Sequence, residues 1–206
     1  MKTDLFASLR LLAATLLVCS LLYPVALWLF GQVVAPEAAE GSLVRAADGR
    51  VIGARRIAQA FSSPRYVWPR PSAVDWDASA AGGSNLSPAN PKIAERAREL
   101  LARPGMKLAG PVPAELVLAS GSGLDPDLSE AAALYQAPRV AAARELAPER
   151  VSTLVRRLAR PVAPGASERL VNVLELNLAL DRALDGTSGG TLDRRSSGGR
   201  DSAGGP

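Results

Sequence analysis

From Leu11 to Phe30 the chain carries no charged side chain. About twenty such residues, at roughly 1.5 Å each along a helix, match the roughly 30 Å hydrocarbon layer of a bilayer. This run constrains the fold more than any other feature and predicts a transmembrane helix. A cleaved signal peptide has a shorter apolar region, of about 7–15 residues. Pro36 also follows the only small-residue position suited to cleavage, near Val34-Ala35. Pro24 lies within the run and lacks an amide proton, so a kink is expected near Ser20 and Leu21, where a carbonyl loses its partner. Cys19 and Ser20 are small enough for close helix contact or for a lipid-facing turn, and Trp28 suits an interface.

Lys2 and Arg10 precede the run, whereas Glu37 and Glu40 follow it before Arg45 and Arg50. The bias favours a cytoplasmic N-terminus with the bulk of the chain outside. The expected organisation is a tail over 1–10, a span over 11–30, one α+β domain over 31–185, helical in its C-terminal half, and a disordered tail over 186–206. That tail is Gly, Ser, Arg and Asp with hardly an apolar side chain, too little to offset the entropy of ordering.

Composition removes several functions. The 24 basic and 20 acidic residues are spread along the chain, with no basic cluster interleaved with aromatics, which disfavours nucleic acid as a partner. There is no histidine, hence no imidazole base, triad or metal ligand of that kind. The single cysteine, Cys19, excludes a Cys-based zinc site and an internal disulfide.

Beyond the span, Asp48-Gly49 between Gly41–Arg45 and Arg50–Ala54 predicts a β-hairpin. A short helix is expected over Ile57–Phe61, extended chain over Tyr66–Ser72 because of its prolines, and a loop over Ala78–Ala89. Asn90 and Pro91 suit the N-cap and first position of a helix reaching Arg103, with Ile93, Ala97, Leu100 and Leu101 on one face. Ser129 is expected to cap a helix to Gln136, Pro138 to restart one to Glu145, and Pro148 to open another with a stripe of Val151, Leu154, Val155 and Leu158. Val171–Asp181 changes period midway, as a strand passing into another element would. Phe61, Tyr66 and Trp68 are expected in the core.

Four strings stand out: Arg70-Pro71-Ser72; Gly82-Gly83-Ser84-Asn85 with Asn90-Pro91; Ser120-Gly121-Ser122-Gly123-Leu124-Asp125-Pro126; and Tyr135-Gln136-Ala137-Pro138-Arg139. Ser120–Gly123 could cradle a phosphate on its amides, but it lacks the Gly-Lys-Ser/Thr ending of a P-loop, which favours a tight connection. Asp125, Asp127 and Ser129 resemble a calcium loop until Glu130 takes the position that needs glycine. The Gly82–Asn85 turn could hold a long loop to the domain or dock a partner.

Behind one apolar run, and in this order with Val171–Asp181, these strings resemble the C subunit of the Kdp-type potassium-transporting P-type ATPases, over roughly residues 1 to 183. The resemblance implies an accessory, non-catalytic subunit in the inner membrane, partnered by the pore-forming and ATP-hydrolysing subunits and the lipid bilayer. It implies a catalytic chaperone that raises the ATP affinity of the hydrolysing subunit, with Gln136 as its proposed nucleotide contact. Potassium would be the transported ion, with no cofactor of the chain's own and ATP bound only within the complex. Consistently, the chain has no Asp-Lys-Thr-Gly phosphorylation sequence. A domain outside the membrane faces no ATP pool, so coupling through the membrane helix is the more physical route. The chain departs from the family pattern at Pro69, Leu118 and Asp127, where Gly, Thr and His are usual. Two rivals remain: a membrane-anchored extracytoplasmic hydrolase using Asp and Glu, and a structural adaptor unrelated to transport.

Overall fold

The computed structural model describes residues 2–46, 48–108 and 110–184; the tail expected over 186–206 lies outside the described residues. The chain is mixed helix and strand and divides into two compact units, one ending at Leu43 and the other beginning at Val44.

The first unit is dominated by one uninterrupted helical run: α1 (Lys2–Leu16), a π-helical stretch (Leu17–Leu22) and α2 (Tyr23–Val34). Asp4–Val34 has a mean hydropathy of 2.1 in its most apolar stretch and is long enough to cross a membrane. Its 31 residues extend about 46 Å as a helix, more than the hydrocarbon layer requires. Leu11, Leu12, Leu17, Leu21 and Phe30 are all exposed, as a lipid-facing surface requires. The disturbance expected from Pro24 takes the form of the π-helical stretch: the Tyr23 amide reaches back five residues to the Val18 carbonyl, and the helix widens where Pro24 has no proton to give. A short helix α3 (Pro36–Ala39) closes the unit, with the Ser42 amide donating to the Glu37 carbonyl at 2.7 Å.

The second unit begins with the expected hairpin, β1 (Leu43–Arg45) paired with β2 (Val51–Ala54) around Asp48-Gly49. Gly49 has a φ of 83°, which glycine adopts without a Cβ clash. No helix forms over Ile57–Phe61. The Ala58 amide instead donates 2.9 Å across to the Leu124 carbonyl, which ties this segment as non-helical chain to a distant loop.

Helix α4 (Pro91–Ala102) starts where Asn90 predicts, the Asn90 side chain accepting from the Lys92 amide at 3.0 Å. Asn90→Ala should therefore cost about 1 kcal/mol, read as a lower thermal midpoint of the full-length chain in detergent. Strand β3 (Asp127–Ser129) runs into α5 (Glu130–Ala143), capped by Ser129 accepting from the Ala132 amide at 3.1 Å. The two helices expected on either side of Pro138 are one: Pro138 lies inside α5. Proline removes a bond to residue 134, yet the helix continues because Ala133, Gln136, Ala137, Val140 and Ala141 share one buried face across it.

Helix α6 (Pro148–Leu158) buries Val151, Leu154 and Val155, the expected stripe. Strands β4 (Arg160–Pro161) and β5 (Arg169–Asn172) lead into α7 (Val173–Leu184), which explains the change of period after Val171. The sheet is antiparallel in the order β3-β5-β4, with Leu128 opposite Val171 and Arg160 opposite Leu170. Leu116, Leu128, Val140, Val151, Val155, Leu176 and Leu180 form its fully buried centre, and Phe61, Tyr66 and Trp68 join the same core.

Candidate functional site

The distinctive strings converge in the second unit on two constructions: a clasp of three loops, and a strap of extended chain held by side-chain amides.

In the clasp, Ser72 is buried and its hydroxyl accepts from the amides of Val74 and Trp76, both at 3.0 Å. The Ser120 amide donates to the Pro71 carbonyl at 3.1 Å, and the Gly82 amide to the Ser122 carbonyl at 2.7 Å. Gly123 has a φ of 68°, and a Cβ there would stand 2.6 Å from the Gly82 carbonyl oxygen and 2.5 Å from a Val74 methyl. A Cβ on Gly83 would stand 2.7 Å from the Gly121 carbonyl oxygen. The glycines thus admit backbone against backbone. Asp125 closes the assembly by a 2.9 Å ion pair with Arg70, and Arg96 of α4 donates to the Ser72 carbonyl. Ser84 and Asn85 lie exposed beside the clasp, Asn85 at a φ of 52°. Pro126 anchors the loop to the sheet, its carbonyl accepting from the Val173 amide at 2.9 Å.

The amides of Ser120, Gly123 and Leu124 are spent on Pro71, Ser120 and Ser122 respectively. Ser120–Gly123 is therefore built as a tight connection.

The strap is Tyr66-Val67-Trp68. Asn177 accepts from the Val67 amide at 2.8 Å and donates to the Val67 carbonyl at 2.9 Å. Gln136 does the same for Trp68, accepting from its amide at 2.9 Å and donating to its carbonyl at 3.0 Å. Each carboxamide stands in for the peptide group of a neighbouring strand, so an extended segment between helices keeps its backbone satisfied. Gln136 is 2% exposed, and its oxygen also accepts from Arg139 at 2.6 Å.

Two buried arginines flank the strap. Arg144 pairs with Asp181 at 2.8 Å, and Asp181 also accepts from the Tyr66 hydroxyl at 3.2 Å. Burial, reinforced by the Asp181 charge and hydrogen bond, pushes the Tyr66 phenol from 10.0 up to about 12. Between those values the folded chain holds a proton that the unfolded chain has released. Stability should therefore fall as pH rises from about 10 to about 12, and Tyr66→Phe should remove that component from an alkaline unfolding series.

Arg139 donates to the carbonyls of Pro64 and Tyr66, at 2.8 and 3.1 Å, while its Nε has no partner. Its guanidinium lies 3.6 Å from the Trp68 ring centroid, and that of Arg103 lies 3.8 Å from the same centroid. Burial, with Arg103 as a secondary cause, lowers the Arg139 pKa to about 9. Asn177 and Asp181, from the Val171–Asp181 string, and Arg144 belong to this construction, although none of the three is among the site residues expected from the sequence.

One unit holds a helix long and apolar enough to cross a membrane, and the other is a small mixed unit of helices and strands, the class of chain that a single-span membrane protein would have. A family model described as "KdpC: K+-transporting ATPase, c chain" matches residues 5–182. The chain belongs to that family, the C subunit of the potassium-transporting ATPase.

It is 58% identical over 179 residues to the potassium-transporting ATPase KdpC subunit of Parvibaculum lavamentivorans, covering 85% of this chain and 95% of that one. It is 46% identical to the KdpC subunit of a Janthinobacterium species, over 88% of this chain and all of the other. The same identity holds with the KdpC subunit of Methanosphaerula palustris, over 88% of this chain and 98% of the other.

Proposed function

We propose that the chain is a non-catalytic accessory subunit which stabilises the assembled potassium pump and raises the ATP affinity of its ATP-hydrolysing subunit. The family match over residues 5–182 carries this reading. It is supported by the absence from the sequence of a P-loop, an Asp-Lys-Thr-Gly phosphorylation string and any histidine. Chemistry then belongs to the partners, the pore-forming and ATP-hydrolysing subunits, and potassium is their transported ion. The N-terminus lies in the cytoplasm and the unit beginning at Val44 outside the inner membrane, in keeping with the charges around the span.

In this reading the clasp around Arg70, Ser72, Gly82 and Gly123 presents a fixed outer surface for docking, with Ser84 and Asn85 at its edge. Gln136 acts by holding the Trp68 backbone, and its influence on ATP affinity passes through the fold and the membrane helix. Direct nucleotide contact would require its carboxamide to give up three hydrogen bonds in a buried site.

The test is the KM for ATP of the purified complex with wild-type chain, with Gln136→Ala, and without the chain. Loss of the chain is expected to raise KM. Gln136→Ala should raise it only in step with a lower melting temperature. A raised KM at unchanged melting temperature would favour direct contact instead.

A further inference from the structure

Beside the β4–β5 pair and the first turn of α7 lies a cavity of about 310 Å³, at the lower end of the range for small-molecule sites. Its lining includes Arg55, Arg56 and Arg160, the acidic Asp127 and Glu175, and the apolar Leu158, Val162 and Leu170. Glu175 is already committed, with one oxygen 2.7 Å from Arg55 and the other 3.6 Å from Arg160.

Asp127 differs. One of its oxygens accepts from Asn172 at 3.1 Å, and among the described residues no cation lies within ion-pair distance of it. Burial holds its carboxyl above the ordinary carboxylate value, and the negative charges of Asp125 and Glu175 add to this against Asn172 and Arg160. Arg160 is 77% exposed and touches Glu175 only at the long distance, so it can turn towards a ligand.

A simple anion entering this cavity would meet the guanidiniums but would crowd Asp127. A simple cation would satisfy Asp127 but would face the exposed guanidinium of Arg160. A molecule carrying both signs answers both kinds of charge. We propose that the cavity binds a small zwitterion, its phosphate or carboxylate held by Arg160, its ammonium by Asp127, and its carbon skeleton against Leu158 and Val162. Such a group could come from a dissolved metabolite or from a zwitterionic phospholipid headgroup.

The test is calorimetric titration of the full-length chain in nanodiscs of phosphatidylglycerol alone, with O-phosphoethanolamine as the zwitterion and inorganic phosphate and ethanolamine as its halves. The zwitterion is expected to bind at least about tenfold more tightly than either half. Asp127→Asn should remove that advantage while leaving phosphate binding unchanged. The exposed variant Arg160→Gln, which leaves the core untouched, should weaken the zwitterion and phosphate alike.

Repeating the titration in nanodiscs containing phosphatidylethanolamine separates the sources. Suppressed binding of the soluble probe assigns the site to the headgroup, and unchanged binding assigns it to a dissolved molecule. Phosphate binding as tightly as the zwitterion, an unaltered affinity in Arg160→Gln, or no saturable binding below about 10 mM would overturn the proposal.

Discussion

Asp181→Asn is expected to destabilise the second unit by about 3–5 kcal/mol, because it takes the charge from one member of a buried ion pair. The Arg144 side chain is fully buried, and its guanidinium reaches the Arg65 carbonyl at 2.8 Å as well as Asp181. Burial keeps it from withdrawing to water. The Tyr66 hydroxyl loses its ionised acceptor in the same step. Chemical denaturation of the full-length chain in mild detergent, followed by tryptophan fluorescence, reads this directly because Trp68 lies in the same core. Arg144→Met with Asp181→Leu should recover much of the loss, since an apolar pair of similar volume avoids the cost of burying charge.

Gly123→Ala is expected to cost roughly 2–5 kcal/mol, the sum of about 1–2 kcal/mol for a side chain in the left-handed region and about 1–3 kcal/mol for overpacking. The atoms in the way are a Val74 methyl and the Gly82 carbonyl oxygen, and the second belongs to a backbone fixed by its own bond to Ser122. Relief requires the Ser120–Leu124 loop to move off the Ser72–Gly83 segment. The variant should therefore show faster proteolysis within 74–89 as well as a lower melting temperature. Gly121→Ala is the control: a Cβ there meets nothing within 4 Å, so that substitution should be close to neutral.

Much of this fold is legible locally. The uncharged run, Asn90-Pro91, Ser129, the stripe after Pro148 and the change of period after Val171 each carry their signal within a few residues, and a helix or a strand-to-helix passage forms at each. The failures at Ile57–Phe61 and Pro138 have a common cause, because long-range packing outweighed a local preference. A bond from Ala58 to Leu124 spans the loop clasp, and the buried face of α5 carries the helix through its proline.

The bracing was less visible. Asn177 and Asp181 sit one helical turn apart among leucines, and polar side chains on a buried face are the one available sign that they serve something internal. What they serve, Val67 and Arg144, is distant in sequence and has no pattern of its own. Gln136 was singled out by its string, but its partner Trp68 could be found only from the fold.

In the proposed function this chain works as a non-catalytic, membrane-held member of a potassium-transporting complex. Affinity purification of the full-length chain from its native membrane, assayed for ATP hydrolysis with and without potassium, tests it most directly. The account predicts recovery of the pore-forming and ATP-hydrolysing subunits with potassium-stimulated activity, and no hydrolysis by the chain once it is separated from them. Recovery of the chain without those subunits, or ATP hydrolysis by the separated chain, would contradict it.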